Sequence, residues 1–226
     1  MMGAVKKGRG LFITGTDTGV GKTLIAAGIA KVFQRDGVDV TVMKPFSCGD
    51  AGQSDVDYFV RKLGLKDPRE LLNPFHCKYP LAPSVASRMA GQRIDVQKAV
   101  KAYRELSSRH ELTIVEGVGG LLVPITNKVT VLDFIAMLKI PVIIVARSGL
   151  GTINHTALTV ESLRRRKIEI AGIVMNGFRD GGLAEKTNPK EILRLTDVPV
   201  IARVPWNRHE NTRVAALSSI PKMLHL

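Results

Sequence analysis

Gly15-Thr16-Asp17-Thr18-Gly19-Val20-Gly21-Lys22-Thr23 decides the fold. It stands directly behind a short apolar run, Leu11-Phe12-Ile13, and directly ahead of Leu24-Ile25-Ala26-Ala27-Gly28-Ile29-Ala30. Strand, glycine-rich turn and helix in that order make a phosphate-binding loop. The glycines let successive backbone N–H groups turn inward around a polyphosphate, and the following helix points its positive N-terminus at the same charge. Lys22 then supplies a point charge for the outer phosphates, and the Thr23 hydroxyl stands where it can ligate Mg2+.

The spacing inside the loop says more. In the common pattern G-x-x-x-x-G-K-[ST] the first glycine would fall at position 16, which here is Thr16; the actual first glycine is Gly15, so the loop is one residue longer. The chromosome-partitioning and nitrogenase-iron-protein ATPases carry a second lysine inside this loop. In register with Gly19-Val20-Gly21-Lys22-Thr23 it would stand at position 17, where this chain has Asp17, the opposite charge. The loop implies ATP or GTP and argues against that branch.

Outward from the loop, strand-like and helix-like stretches alternate. A helix is expected over Lys22–Asp36, ended by Gly37, and a strand over Val38–Met43, closed by Lys44-Pro45. A helix over Ser54–Leu63 precedes an irregular, proline-punctuated segment from Pro68 to Pro83, and helices follow around Ser84–Ala90 and Val96–Ser108. Leu112–Val115 reads as a strand ending in Glu116, Thr130–Leu138 as a helix, and Pro141–Ala146 as a buried strand. Thr152–Lys167 is an amphipathic helix, Ile170–Met175 a strand, Pro189–Leu195 a short helix, and Pro199–Val204 a last strand stopped by Pro205-Trp206. This alternation implies the α/β class: a three-layer P-loop NTPase fold with a mainly parallel central sheet and helices on both faces. No internal repeat or linker interrupts it, so a single domain over residues 1–226 is expected. Ligands in such sheets bind beyond the carboxyl ends of the strands. Those ends deliver the glycine loop, Lys44, Glu116, the Arg147–His155 loop, Asn176 and Trp206.

Composition narrows the class. With 45% hydrophobic residues the chain can bury a large core without disulfides, and Cys48 and Cys77 alone suit a reduced, cytoplasmic protein. The first ten residues lack the apolar core of a signal peptide, and no apolar stretch approaches the ~20 residues of a membrane span. The net charge of +13 fits either a basic surface that steers anionic nucleotides or a nucleic-acid-binding face. The densest cluster, Arg164-Arg165-Arg166-Lys167, closes an expected helix, where cations suit the dipole. Aromatics make up 5% of the chain and are not interleaved with basic residues, so no base-stacking platform and no nucleic-acid partner are expected.

Individual residues carry the chemistry. Glu116 follows an apolar strand and precedes Gly117-Val118-Gly119-Gly120, a place from which an acid can reach a metal on nucleotide phosphates. Asp55 and Asp57 both open the helix after Ser54 and compete for the same role. Lys44 ends a strand with its ammonium at the ligand edge, and Asn154-His155 opens the helix after the fourth strand, where Asn is a favoured cap.

Together these stretches resemble the dethiobiotin synthetase family, with the elongated loop, Lys44-Pro45, Ser54-Asp55, Val115–Gly120, Leu150-Gly151-Thr152-Ile153-Asn154-His155, Met175-Asn176 and Val204-Pro205-Trp206 in order along nearly the whole chain. The resemblance implies an ATP-dependent ligase that joins 7,8-diaminononanoate and CO2 into dethiobiotin, releasing ADP and phosphate. It implies that Lys22 and Lys44 are catalytic, that Thr18, Gly19, Val20, Gly21, Lys22, Thr23 and Leu24 line the phosphates, and that Asn176, Pro205 and Trp206 meet the adenine. Thr23, Asp55 and Glu116 would hold Mg2+. Lys44, Ser47, Cys48, Glu116, Gly119, Leu150, Gly151 and Asn154 would meet the substrate, the last three from the partner in a homodimer whose active site lies at the interface. The chain departs from the family at Cys48, usually Ser or Thr, with Ser47 beside it, and at Val118, commonly Ala. The alternative is a regulatory P-loop ATPase that binds DNA through its basic surface.

Overall fold

The computed structural model describes residues 8–49, 54–179, 182–206 and 209–223. The chain begins with β1 (Arg9–Gly15), passes through the glycine loop into α1 (Lys22–Arg35), and returns as β2 (Val40–Met43). Two short pieces, β3 (Phe46–Cys48) and α2 (Asp55–Leu63), follow, then α3 (Arg69–Leu72), β4 (Phe75–Cys77), α4 (Pro83–Met89) and α5 (Val96–Arg109). The remainder runs β5 (Leu112–Glu116), α6 (Val131–Leu138), β6 (Val142–Arg147), α7 (Thr152–Arg165), β7 (Ile170–Phe178), α8 (Leu183–Thr196), β8 (Val200–Pro205), α9 (Glu210–Leu217) and α10 (Ile220–Met223). Helix starts are set by local chemistry. Ser54 accepts the Asp57 N–H ahead of α2, Asp95 accepts two N–H groups ahead of α5, and Thr130 with Asp133 forms a reciprocal capping box on α6.

Among the described residues the central sheet has six strands in the order β2-β5-β1-β6-β7-β8, each pair parallel. The chain leaves β1 first to one side and later to the other, so β1 sits at the switch point and its carboxyl end opens into the crevice that ligands use. Alternate strand residues feed two separate cores. Phe12, Val115, Ile144 and Met175 pack with Leu106 of α5, Ile135 of α6, Leu163 of α7 and Ile192 of α8. Leu11, Ile13, Ile114, Ile143 and Val174 pack on the other face against Ile25, Ile29 and Phe33 of α1 and Val214, Leu217 and Ile220 of α9 and α10. The period-two side-chain alternation of strands thus produces three layers.

Three differences from the sequence reading have physical causes. The segment expected to be irregular between Pro68 and Pro83 contains α3 and β4, and β4 pairs in parallel with β3. Three-residue strands are too short to show a period, and only their pairing makes them strands. Helix α8 begins at Leu183, not Pro189, and carries Pro189 inside it. Its cost is offset locally by packing: Asn188 is buried and its amide donates to the Ser148 and Gly149 carbonyls. Helices α9 and α10 were not anticipated beyond Trp206.

The basic run that closes α7 is engaged within the chain. Arg164 donates to the Thr196 carbonyl, Arg165 pairs with Glu161, and Arg166 pairs with Asp133. No described helix is long and apolar enough to cross a membrane.

At the opposite end of the sheet from the glycine loop, His110 bridges two carboxylates. Its Nδ1 stands 3.0 Å from Asp39 and its Nε2 3.0 Å from Asp67, which also accepts the Thr41 hydroxyl. Both ring nitrogens can donate only in the imidazolium form. Burial opposes that charge, but the hydrogen bonds and charges of Asp67 and Asp39 more than offset it, so the pKa is raised above the ordinary histidine value. A raised pKa contributes stability that is fully present below about pH 6.5 and is lost as pH climbs through the folded value. The melting temperature is therefore expected to fall as pH rises above about 6.5. A His110→Gln variant, melted across the same range, should show a flatter profile; an equally steep one would remove His110 from the account.

Candidate active site

Adjacency of β2, β5 and β1 brings three strand ends side by side. Lys44 follows the last residue of β2, Glu116 ends β5, and Gly15 ends β1. Helix α2 lies along α1, so Asp55 at its first turn faces the first turn of α1. Lys44, Glu116 and Asp55, with the loop that follows Gly15, wall a cavity of about 1160 Å3.

Within it the glycine loop takes the conformation its residues demand. Gly19 and Gly21 have φ of 74° and 96°, in the left-handed region, and the Thr18 N–H is held by the Asp17 carboxylate at 2.7 Å. Asp17 also pairs with Arg147 at 2.9 Å, so the acid at position 17 braces the loop from outside. Lys22 lies almost wholly buried with its Nζ on the Asp17 carbonyl at 2.9 Å. Burial lowers its pKa to about 8; Glu116 partly opposes the shift and Lys44 adds to it.

The charged centre is compact. The Lys44 ammonium donates to Asp55 and, at 3.0 Å, to Glu116 Oε1. Burial works to lower the Lys44 pKa, but Glu116 and Asp55 outweigh it, and the ammonium keeps its proton more firmly than a free lysine. Glu116 is 1% exposed, and burial raises its carboxyl above the usual carboxylate range, with Lys44 pulling the other way.

The donor set fits a divalent cation. Thr23 Oγ1 stands 2.9 Å from both Asp55 Oδ1 and Glu116 Oε1, yet a hydroxyl has one proton to give. Glu116 Oε2 is buried with no hydrogen-bond partner. An oxygen left over in this way is what a shared cation would satisfy. Among the described residues no group of three or more His, Cys, Asp or Glu stands together, so a cation here would complete its shell from Thr23 and from phosphate oxygens, the habit of Mg2+.

The choice between Asp55 and Asp57 is made by helix geometry. Asp57 points away, bound to Arg69 and Ser54, which hold its carboxyl down at about 2. Of the other sequence-derived candidates, Thr18, Gly19, Gly21, Leu24, Cys48 and Gly119 also line the cavity. Ser47 does not: its hydroxyl is buried on Asn73 at 3.0 Å and His76 at 2.9 Å. Cys48 faces the cavity instead, its thiol pushed up to about 11 by burial. Val20 is buried beneath the loop, and Asn176 reaches the loop from β7. Trp206, 68% exposed, stacks with Arg179 at 4.7 Å, next to Pro205 at the end of β8. Leu150 and Gly151, just before α7, and Asn154 in its first turn lie outside this cavity and are exposed, Leu150 at 91%.

Sequence reasoning missed several wall residues. Tyr58 and Arg61 share the cavity with Asp55, and their spacing of three along α2 could have placed them. Pro80, Leu81 and Ala82 carry no such signal. Nor does Asn73, which donates to the Lys44 carbonyl at 2.7 Å and so fixes the strand end that carries the lysine.

The fold and this loop define a P-loop NTPase-class enzyme. The AAA domain family model matches residues 9–212. Among solved structures, the Pyrococcus furiosus cell division ATPase MinD superposes with a TM-score of 0.61 at 13% identity, covering 96% of this chain and 98% of that one. The Aquifex aeolicus MinD cell division protein gives 0.59 at 15% identity, with 96% and 95% covered; at these identities the likeness is of fold alone. The ATP-dependent dethiobiotin synthetase BioD of Anaeromyxobacter dehalogenans (strain 2CP-C) is 45% identical over 94% of this chain and 96% of its own length. Those of Bacillus licheniformis and Nitrosopumilus maritimus are 42% and 36% identical, over 87% and 88% of this chain and 86% and 89% of their own lengths. This chain belongs to the ATP-dependent dethiobiotin synthetase family.

Proposed function

We propose that this chain, a single domain, closes the ureido ring of dethiobiotin in biotin biosynthesis. One amine of 7,8-diaminononanoate adds to CO2, forming an N–C bond and losing a proton. The carbamate oxygen takes the γ-phosphoryl group of ATP, and ADP leaves. The neighbouring amine then attacks the carbamoyl carbon; the C–O bond to phosphate breaks, the amine proton is lost, and the ring is closed. The observation that carries this reading is the convergence of Lys22, Thr23, Lys44, Asp55 and Glu116, from separate segments, on one cavity.

Each residue has a physical task in this scheme. Lys44, firmly protonated, would favour the anionic carbamate, and Lys22 the charge on the transferring phosphoryl group. Backbone N–H groups from Thr18 to Leu24, Val20 included, would hold the phosphates, with Asn176, Pro205 and Trp206 at the adenine. Thr23, Asp55 and Glu116 would hold Mg2+, which when bound draws charge from the phosphate oxygens. Cys48 rather than Ser47 would face the diamine, with Gly119 and Glu116 beside it. Leu150, Gly151 and Asn154 would act in a homodimer, meeting the substrate of a second copy; the near-full exposure of Leu150 supports this.

The test is ADP release by the purified protein with and without 7,8-diaminononanoate and bicarbonate. Release that requires both, with dethiobiotin formed in equal amount, is expected; diamine-independent hydrolysis alone would overturn the reading. Affinity for random duplex DNA is expected to be weak at physiological salt and the same with or without ATP. A tight complex switched by nucleotide in a filter-binding or anisotropy assay would favour the regulatory ATPase instead.

A further inference from the structure

The glycine loop is gripped from a distant part of the chain. Asn176 stands near the carboxyl end of β7, in register with Arg147 of β6 and Val204 of β8. Its Nδ2 donates to the Val20 carbonyl at 2.9 Å, across 156 residues of sequence. The approach is close enough that a Cβ at position 21 would collide with the Asn176 amide. Gly21 is favoured by its φ of 96°, and a side chain there would displace the Asn176 amide from the Val20 carbonyl.

The grip has a directional consequence. No cis peptide bond occurs among the described residues. In a trans peptide the carbonyl of one residue and the N–H of the next share a plane and point opposite ways. Holding the Val20 oxygen toward Asn176 turns the Gly21 N–H away from it. Gly21 lines the large cavity, and Gly21 precedes α1 with no side-chain cap of its own. The Val20 side chain is buried, which anchors the same peptide from below.

We propose that Asn176 is a positioning residue for the phosphate loop, holding the Val20–Gly21 peptide so that the Gly21 N–H is presented to polyphosphate before any nucleotide arrives. This rests on the nucleotide-binding reading of the cavity and adds to the adenine contact. A side-chain amide has a second N–H and a carbonyl oxygen, so one residue serves both ends of the nucleotide. Asn176 is then the mechanical link between the base and the phosphates.

A base-free ligand separates the two roles. Dissociation constants for Mg2+-ATP and for Mg2+-tripolyphosphate are to be measured by calorimetry on the full chain and on Asn176→Ala and Asn176→Asp. Tripolyphosphate binding is expected to weaken by about fivefold to twentyfold, the scale of one lost hydrogen bond, and ATP binding by at least as much, because its base contact goes as well. Asn176→Asp should lose at least as much as Asn176→Ala, because a carboxylate cannot donate and repels the Val20 carbonyl. Amide hydrogen exchange of residues 15–24, measured without ligand, should quicken in both variants. If ATP weakens while tripolyphosphate binding and loop exchange stay at the parent values, Asn176 serves the base alone and the proposal is overturned. If the parent binds neither polyphosphate, it is the nucleotide reading that fails, and the exchange comparison still decides whether Asn176 braces the loop.

Discussion

Lys44→Ala is expected to lower turnover by about 10²–10³-fold while ATP affinity stays within a few-fold of the parent. Lys44 arrives from the end of β2 rather than from the glycine loop, and its ammonium is oriented by Asp55 and Glu116. A charge held in this way costs no reorganisation when an anion develops beside it, and so acts on the reacting group more than on ground-state nucleotide binding. The variant also leaves Asp55 and Glu116 facing each other without their cation. Removing one partner of a buried pair can cost stability, so unfolding must be followed with Mg2+-ATP present, and Lys44→Gln keeps much of the volume if alanine proves unstable. The measurements are direct nucleotide binding and steady-state kinetics on the same protein. Collapse of ATP affinity with turnover near the parent at saturating ATP would make Lys44 a nucleotide ligand instead.

Lys22→Ala is expected to abolish nucleotide turnover, by about 10³-fold or more, with the fold intact. Lys22 is buried, yet its hydrogen bond runs to a backbone oxygen of its own loop, Asp17, and no ion pair among the described residues uses it. Burial has already lowered its pKa to about 8, outweighing the attraction of Glu116, Asp17 and Asp55. A polyphosphate supplies the missing counter-charge, so the lysine matters to the bound state far more than to folding. Circular dichroism and thermal unfolding should match the parent while ATP affinity and turnover both fall. That joint loss separates Lys22 from Lys44. Normal turnover in a folded Lys22→Ala protein would remove the phosphate-loop reading altogether.

The strand–loop–helix unit from Arg9 to Arg35 was legible because every part of it is local: an apolar run, glycines where φ is positive, and an apolar helix behind them. The long strands β5, β6 and β7 were legible for the same reason, as buried apolar runs between turn signals. Lys44 and Glu116 could be assigned to strand ends, and strand ends to one edge, by the rule for parallel sheets alone.

What the residues could not decide depended on partners far away in sequence. Asp55 and Asp57 look alike in the chain, and only the packing of α2 beside α1 sends one to Thr23 and the other to Arg69. Ser47 and Cys48 are neighbours on a strand, so one must face in and the other out, and the pairing of β3 with β4 settles which. Pro189 reads as a helix start until the buried Asn188 beside it is seen to tie α8 to Ser148. The bond from Asn176 to Val20 has no local trace at all. Sequence determines what each short segment prefers, because those preferences come from dihedrals and side chains within a few residues. Tertiary structure alone decides which polar atoms meet, because their pairing is fixed by the packing of strands and helices around a shared core.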